Sequence, residues 1–313
     1  MIISASRRTD IPAFYSDWFL NRIQAGFLLT RNPFNAKQIK RISLRPDDVD
    51  VIVFWTRNPA KLLKHLPLLD TTGYRYYFQF TLTGYGKPLE TATLHPLKAI
   101  EIFQKLSEQI GADKVIWRYD PILVSNLTPV QEHLRLFEKI ARHLHQHTRQ
   151  VVISFADLYR KTEVNLRKVA GLRYHDILHD ADELRTLCQG LSEIARHYQL
   201  SITTCAETTD LTEFGIRHGK CVDDVLLRQI FGLDVSSTKD PGQRQACGCI
   251  QSVDIGSYNT CLHGCQYCYA TSQQKTALRN YQQHDPQSPF LTGSAEGAES
   301  LSEPEIPVRT SLF

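Results

Sequence analysis

The chain reads as a parallel α/β fold, because short β-branched apolar runs alternate with longer helical patterns along most of its 313 residues. Candidate strands lie at residues 2–5, 50–55, 75–82, 114–119, 151–155 and 201–205. Candidate helices lie at 12–25, 59–65, 96–110, 129–145, 161–170 and 181–198. Pro12, Pro59, Pro96 and Pro129 each stand where a helix would begin, the position at which a missing N–H costs least. Leu97, Ile100, Phe103, Leu106 and Ile110 recur at helical spacing and make one apolar face. Repeated strand–helix alternation implies parallel strands joined by right-handed crossovers, in either an open doubly wound sheet or a barrel. No Gly-x-Gly-x-x-Gly turn follows a strand, so a dinucleotide-binding fold lacks its main signature. Residues 27–34 and 38–44 suggest an added β-hairpin with Asn35 and Ala36 near its turn.

Composition is that of an ordinary soluble globular protein, 42% hydrophobic and 22% charged. No apolar run approaches the ~20 residues that span a bilayer, which argues against a membrane partner. Charges follow a very short apolar stretch at the N-terminus, the wrong order for a secretory signal. Eight cysteines in such a chain read as metal ligands rather than disulfides, which points to the reducing cytoplasm. The net charge of +3 neither demands nor excludes a nucleic-acid partner. Residues 31–45 carry Arg31, Lys37, Lys40, Arg41 and Arg45 without an acid, and a solvated edge accounts for them. Periodicity fades between 234 and 281, where Gly, Cys, Ser and Asp are frequent. The expected organisation is therefore a βα domain over 1–233, a cysteine-rich module over 234–281 packed across the mouth of the first domain, and a flexible tail over 282–313.

Cys261, Cys265 and Cys268 stand three and then two residues apart. Thiolates this close can converge on one small Fe–S cluster, and Gly264 lets the backbone curl between the first two. A zinc site is the alternative, although zinc ligands more often come as two separated pairs. Cys205, Cys221, Cys247 and Cys249 offer a second site for zinc or an Fe–S cluster, a fourth ligand that would close the first cluster, or plain buried thiols. Cys188, among Leu184, Leu187 and Leu191, belongs to a helix core.

The chain resembles a bacterial family of domains of unknown function whose C-terminal cysteines are similar to the cluster loop of radical S-adenosylmethionine (SAM) enzymes. The resemblance covers nearly the whole chain. It is carried by Ser4-Ala-Ser-Arg-Arg-Thr-Asp-Ile-Pro12, Val53-Phe-Trp-Thr-Arg-Asn-Pro59, Phe78-Gln-Phe-Thr-Leu-Thr-Gly-Tyr85, Trp117-Arg-Tyr-Asp-Pro121 and the stretch from Cys247-Gly-Cys249 to Ala270. It implies a partial (βα)6 TIM-like barrel with a C-terminal cysteine-rich cluster-binding module. It further implies a 4Fe-4S cluster on Cys261, Cys265 and Cys268 with SAM at the open iron and Tyr267 near the adenine. A more distant likeness is to the spore photoproduct lyase branch. Two departures stand out: the loop lies near the C-terminus rather than after the first strand, and Trp55-Thr-Arg-Asn-Pro59 occupies the place of the glycine-rich SAM motif.

Ligands of parallel βα folds bind at the C-terminal ends of strands, and polar residues collect there in this chain. Arg7, Arg57 and Arg118 offer planar forks for carboxylate or phosphate. Asp10, Asp120 and Glu207 would bind an amino group or ribose, or else hold those arginines in place. The candidate catalytic set is Arg7, Asp10, Arg118, Asp120 and Glu207, and the candidate cofactor contacts are Arg57, Gln79 and Tyr267. His143 and His147 are one turn apart but sit at a helix end, where the dipole favours them without a metal. Residues 308–313, with Arg309 in place of the usual Gln and ending at Phe313, resemble a sliding-clamp-binding peptide.

The leading expectation is a radical SAM-type enzyme acting on a DNA lesion or nucleotide, supplied with electrons by a flavodoxin or ferredoxin. The alternative is a non-catalytic Fe–S or zinc protein that binds nucleic acid and has a closed cluster. A zinc-stabilised hydrolase ranks last, since no water-activating constellation is evident.

Overall fold

A computed structural model of the chain describes residues 1–33, 35–293 and 301. In chain order the elements are β1 (Ile2–Ala5), α1 (Ile11–Phe14), α2 (Ser16–Ala25), β2 (Phe27–Asn32), β3 (Asn35–Ser43), β4 (Val51–Thr56), α3 (Ala60–Leu63), α4 (Leu66–Thr71), β5 (Tyr76–Thr81) and α5 (Pro96–Ile110). They continue with β6 (Val115–Ile122), α6 (Val130–Leu144), β7 (Gln150–Phe155), α7 (Arg160–Leu166), α8 (Ala181–His197), β8 (Ser201–Cys205), β9 (Arg217–Gly219), α9 (Asp224–Phe231), β10 (Val253–Asp254) and α10 (Gln274–Gln282).

Eight strands form one parallel sheet in the order β10-β1-β4-β5-β6-β7-β8-β9. The strands expected from periodicity are its six central ones. The two outer strands raise the expected count of six to eight: β9 comes from the βα segment and β10 from the cysteine-rich one. At three and two residues they carry no readable alternation. Ile250 N–H bonds to Val222 C=O, linking the chain just beyond β9 to the approach to β10. β2 and β3 make the expected antiparallel hairpin, with a register shift at Arg31 and Asn32.

The central strands are buried on both faces, as parallel strands are. On one face Phe54, Phe78, Trp117 and Ile153 meet Trp18, Phe19, Phe103, Phe137 and Leu187 of the helices. On the other face Val51, Val53, Tyr77, Ile116 and Val152 meet Val222, Leu227, Ile250 and three cysteines. The strand period of two thus sends Phe54, Phe78 and Trp117 toward the helices and Val51, Val53, Tyr77 and Ile116 toward the cysteine-bearing segment.

The helix expected over 12–25 is two helices. Tyr15 leaves helical geometry between them, and its hydroxyl donates to the Thr260 carbonyl at 2.9 Å, a tie to a remote segment. The tail expected over 282–313 is corrected for residues 286–291, which pack on the body. Trp18 Nε1 donates to Ser288 C=O, Arg22 to Gln287 C=O, and Leu29 N–H to Pro289 C=O. Phe290 and Leu291 are buried, which gives this polar stretch the apolar anchor that its composition conceals. Residues 308–313, the clamp-like peptide, lie outside the described residues. Among the described residues no helix is long and apolar enough to cross a membrane.

Candidate functional site

Because the sheet is parallel, all its strands end on one side, and a cavity of about 380 Å³ opens there. Its lining includes Arg7, Asp10, Arg57, Arg118, Asp120 and Tyr267 together with Cys205, Cys221, Cys247, Cys249, Cys261, Cys265 and Cys268. Gln79 and Glu207 do not line it.

The 261–268 loop reaches this position by pairing with the chain after β5. Ala92 N–H bonds to His263 C=O at 2.9 Å, and Gln266 N–H to Leu89 C=O at 2.9 Å. Gly264 has φ +70°, and a Cβ there would collide with Thr91, so both the turn and the close approach require glycine. Past the cysteines, Tyr269 hydroxyl donates to Arg7 C=O at 2.6 Å and Lys161 Nζ to Tyr269 C=O at 3.1 Å. The loop therefore runs from the β5 side of the mouth to the start of α7.

Asp10 joins three elements. Its carboxylate caps α1 through Ala13 N–H at 2.9 Å. It also accepts from Thr56 Oγ1, Arg57 N–H and His263 Nε2, each at 2.7 Å. Asp10 is thus fully engaged in holding the loop to β1 and β4.

Arg57 donates to Glu90 at 2.9 Å and to the Tyr267 hydroxyl at 2.7 Å. Tyr267 also donates to Glu90, which accepts from Thr83 Oγ1 at 2.6 Å. Burial works against the Arg57 charge, but Cys265, Glu90 and Tyr267 outweigh it and hold the guanidinium charged. The Tyr267 ring packs edge-on against Tyr85, with centroids 5.8 Å apart.

Arg7 and Arg118 both lie over Trp55, at 5.0 and 5.1 Å from its ring. Arg118 pairs with Asp120, donates to Gln79 at 3.2 Å and to Cys221 Sγ at 2.8 Å. The other end of Gln79 donates to Cys221 C=O at 2.9 Å, so Gln79 is a buried brace beneath the cavity. Asp120 accepts from Ser154 as well, and its carboxyl lies below the usual range: burial pushes it up, and Arg118 and Ser154 bring it down further. Glu207 accepts Phe155 N–H at 2.9 Å, and burial raises its carboxyl to about 7.

Cys205, Cys221, Cys247 and Cys249 gather on the other side of the cavity. Cys221 Sγ donates to Cys205 Sγ at 3.0 Å, and Cys249 Sγ accepts Cys221 N–H at 3.3 Å and Val222 N–H at 3.4 Å. Hydrogen bonds from the Cys221 and Cys247 thiols hold Cys249 below the usual thiol range, with Arg7 adding to the effect. In the 261–268 loop burial instead raises Cys261 and Cys265, the latter to about 12 against the pull of Arg57. Cys188 is buried in α8, as expected.

Among the described residues no three His, Cys, Asp or Glu side chains are arranged to hold a single ion. A cubane is several atoms across, so cysteines that share one stand further apart than the ligands of one ion. The loop fits such a group on two observations: its three cysteines line one cavity, and His263 Nδ1 beside them is buried without a partner.

Sequence reasoning missed Glu90, His263, Trp55 and Asp254. Asp254 accepts from Ser4 and Ser6 hydroxyls and from Arg7 N–H, at 3.0, 2.6 and 2.9 Å. Only His263, inside the cysteine loop, carried a local signal. Glu90 sits in an irregular stretch, and nothing in the chain pairs it with Arg57 before folding.

Fold and cavity define a class: a parallel α/β protein whose strand C-termini face two groups of cysteines across one cavity. The chain belongs to the family described as Domain of unknown function (DUF1848), whose model matches residues 2–270. No curated protein matches it. Among solved structures, one from Bacteroides thetaiotaomicron, described as a candidate alpha-L-fucosidase, is 12% identical with a TM-score of 0.26, over 76% of this chain and 85% of that one.

Proposed function

We propose that this protein is a 4Fe-4S protein of radical SAM type acting on an anionic substrate, a nucleotide or a nucleic acid. The observation that carries the reading is the meeting of Cys261, Cys265 and Cys268 with Arg7, Arg57 and Arg118 in one cavity at the strand C-termini. The same reading takes the sheet as a partial barrel whose six long strands are extended by β9 and β10.

Cys261, Cys265 and Cys268 would hold three irons and leave the fourth open. A cluster held by these three cysteines would supply one-electron reduction of SAM and, through it, hydrogen abstraction from the substrate. The protein's own contributions are electrostatic and positional. Arg57, already charged and oriented by Glu90, favours the thiolate of Cys265. Arg8 adds a guanidinium to the cavity wall, and Arg244 stands there paired with Asp157; such planar forks suit phosphate or carboxylate. Asp10 and Asp120 position their neighbours, since their oxygens are already taken. Tyr269 and Lys161 tie the loop across the mouth. An external flavodoxin or ferredoxin would supply the electron.

The deciding experiment is anaerobic purification with iron and sulfide analysis, followed by SAM cleavage under dithionite. Expected are about four irons per chain, their loss in Cys261→Ala, Cys265→Ala and Cys268→Ala, and slow release of 5'-deoxyadenosine. Stoichiometric zinc without iron refutes the cluster. A reduced-cluster spectrum indifferent to SAM favours a second reading, a non-catalytic nucleic-acid-binding protein with a closed cluster. The observation in favour of that reading is the second group of cysteines on the same cavity.

A further inference from the structure

The second group of cysteines has properties that buried thiols packed for bulk do not need. A neutral thiol is a weak donor and a weak acceptor. Cys249 Sγ nevertheless accepts two backbone N–H groups, from Cys221 and Val222. Its environment is therefore built for a sulfur carrying negative charge. Arg118 reaches Cys221 Sγ at 2.8 Å, and Arg7, beside Cys249, keeps its Nη2 buried without a hydrogen-bond partner. Two guanidinium groups thus stand beside the sulfurs of Cys205, Cys221 and Cys249.

The four cysteines come from three separate places: the end of β8, the turn after β9, and the Cys247-Gly-Cys249 stretch before β10. Cys221 Sγ donates to Cys205 Sγ and Cys221 N–H to Cys249 Sγ, while Cys247 lines the same cavity, and among the described residues no three of these side chains surround a common point. In a tetrahedral thiolate site with bonds of about 2.3 Å, sulfurs stand about 3.8 Å apart. Cys205 and Cys221, now 3.0 Å apart, would spread by under an ångström, within reach of small side-chain rotations.

We infer that Cys205, Cys221, Cys247 and Cys249 form a second metal centre, a four-thiolate site for one thiophilic divalent ion such as zinc, separate from the 261–268 loop. Four thiolates around a divalent ion carry a net charge of minus two, and Arg7 and Arg118, the latter shared with Asp120, place positive charge beside them in a setting where an uncompensated charge is costly. The site would join β8, β9 and the approach to β10, where few backbone bonds link the outer strands. This inference does not depend on the radical reading, because it involves none of the loop cysteines.

The test is metal analysis of the full-length protein purified anaerobically, beside a Cys247→Ser/Cys249→Ser double variant and a Cys261→Ala/Cys265→Ala/Cys268→Ala triple variant. The expected result is about one zinc per chain in the wild type and the triple variant, and none in the double variant. Iron is expected to follow the opposite pattern, and Cys188→Ala should change neither. Arg7→Met should weaken zinc binding about 10- to 100-fold by removing a charge next to the ligands. Should the double variant fail to fold, cobalt added to the apo triple variant should give thiolate charge-transfer and tetrahedral ligand-field bands. Zinc absent from both wild type and triple variant, iron with sulfide at these four cysteines, or a Cys205–Cys221 disulfide in the anaerobic protein would each overturn the inference.

Discussion

Replacing Asp10 separates a positioning role from a chemical one. Asp10→Ala removes four hydrogen bonds at 2.7 to 2.9 Å from a carboxylate that is 6% exposed. Loss of the α1 cap costs about 1 kcal/mol. The three other bonds, to Thr56 Oγ1, Arg57 N–H and His263 Nε2, are charge-assisted and cost about 1.5 kcal/mol each when a buried donor loses its partner. The simple sum is about 5.5 kcal/mol, and water entering the gap would reduce it to about 3 to 4. At about 2 °C per kcal/mol for a chain of this size, the melting temperature should fall by about 6 to 8 °C. Asp10→Asn, which keeps an acceptor but must turn a donor toward one neighbour, should lose about half as much. Thermal melts by circular dichroism would read the stability, and iron content would read whether the 261–268 loop has loosened. If Asp10→Ala melts within 1 °C of wild type, the claim that this carboxylate fastens the loop to β1 and β4 is wrong.

Other expectations follow from the same geometry. Gly264→Ala forces a side chain into Thr91 at φ +70° and should cost at least about 1 kcal/mol and most of the bound iron, measured in one preparation by melting and metal analysis. Glu207 has a folded-state carboxyl raised by burial to about 7, so the folded chain holds a proton that the unfolded chain releases at lower pH. Stability should therefore fall as pH rises from about 4.5 to about 7, and Glu207→Gln should remove on the order of 2 kcal/mol of that fall; parallel urea titrations at pH 5 and pH 8 that show equal slopes for the two proteins would disprove it. Truncation after Gln282 removes buried Phe290 and Leu291 and uncovers part of Trp18, and should destabilise the protein by about 3 kcal/mol or more in denaturant melts.

Local patterns made the centre of the fold legible, and the edges were not. Strands β4 to β8 carry long apolar runs because both their faces are buried, and proline marks the starts of α5 and α6, so length and composition identify them. β9 and β10 are too short to show any period, and they are strands only because β8 and β1 offer them unpaired edges. The same logic holds for the tail. Residues 282–291 read as polar and unstructured, yet two apolar side chains are buried there and four backbone carbonyls find partners on α2 and β2.

The sequence alone identified the cysteine loop, because closely spaced thiols constrain each other through the local backbone. It also pointed to the strand ends as the place for polar chemistry, because a parallel sheet puts all its C-termini on one side. It had no means of bringing the loop to that place. Residue 264 reaches Thr91, residue 263 reaches Asp10, and residue 269 reaches Arg7 through contacts between segments some 170 to 260 positions apart, and only the closed fold supplies those distances. Nor could the sequence divide the polar residues by duty. Asp10, Gln79 and Asp120 are the same residue types whether they face a ligand or brace a neighbour. Their roles were decided by which hydrogen-bonding atoms the tertiary structure had already engaged.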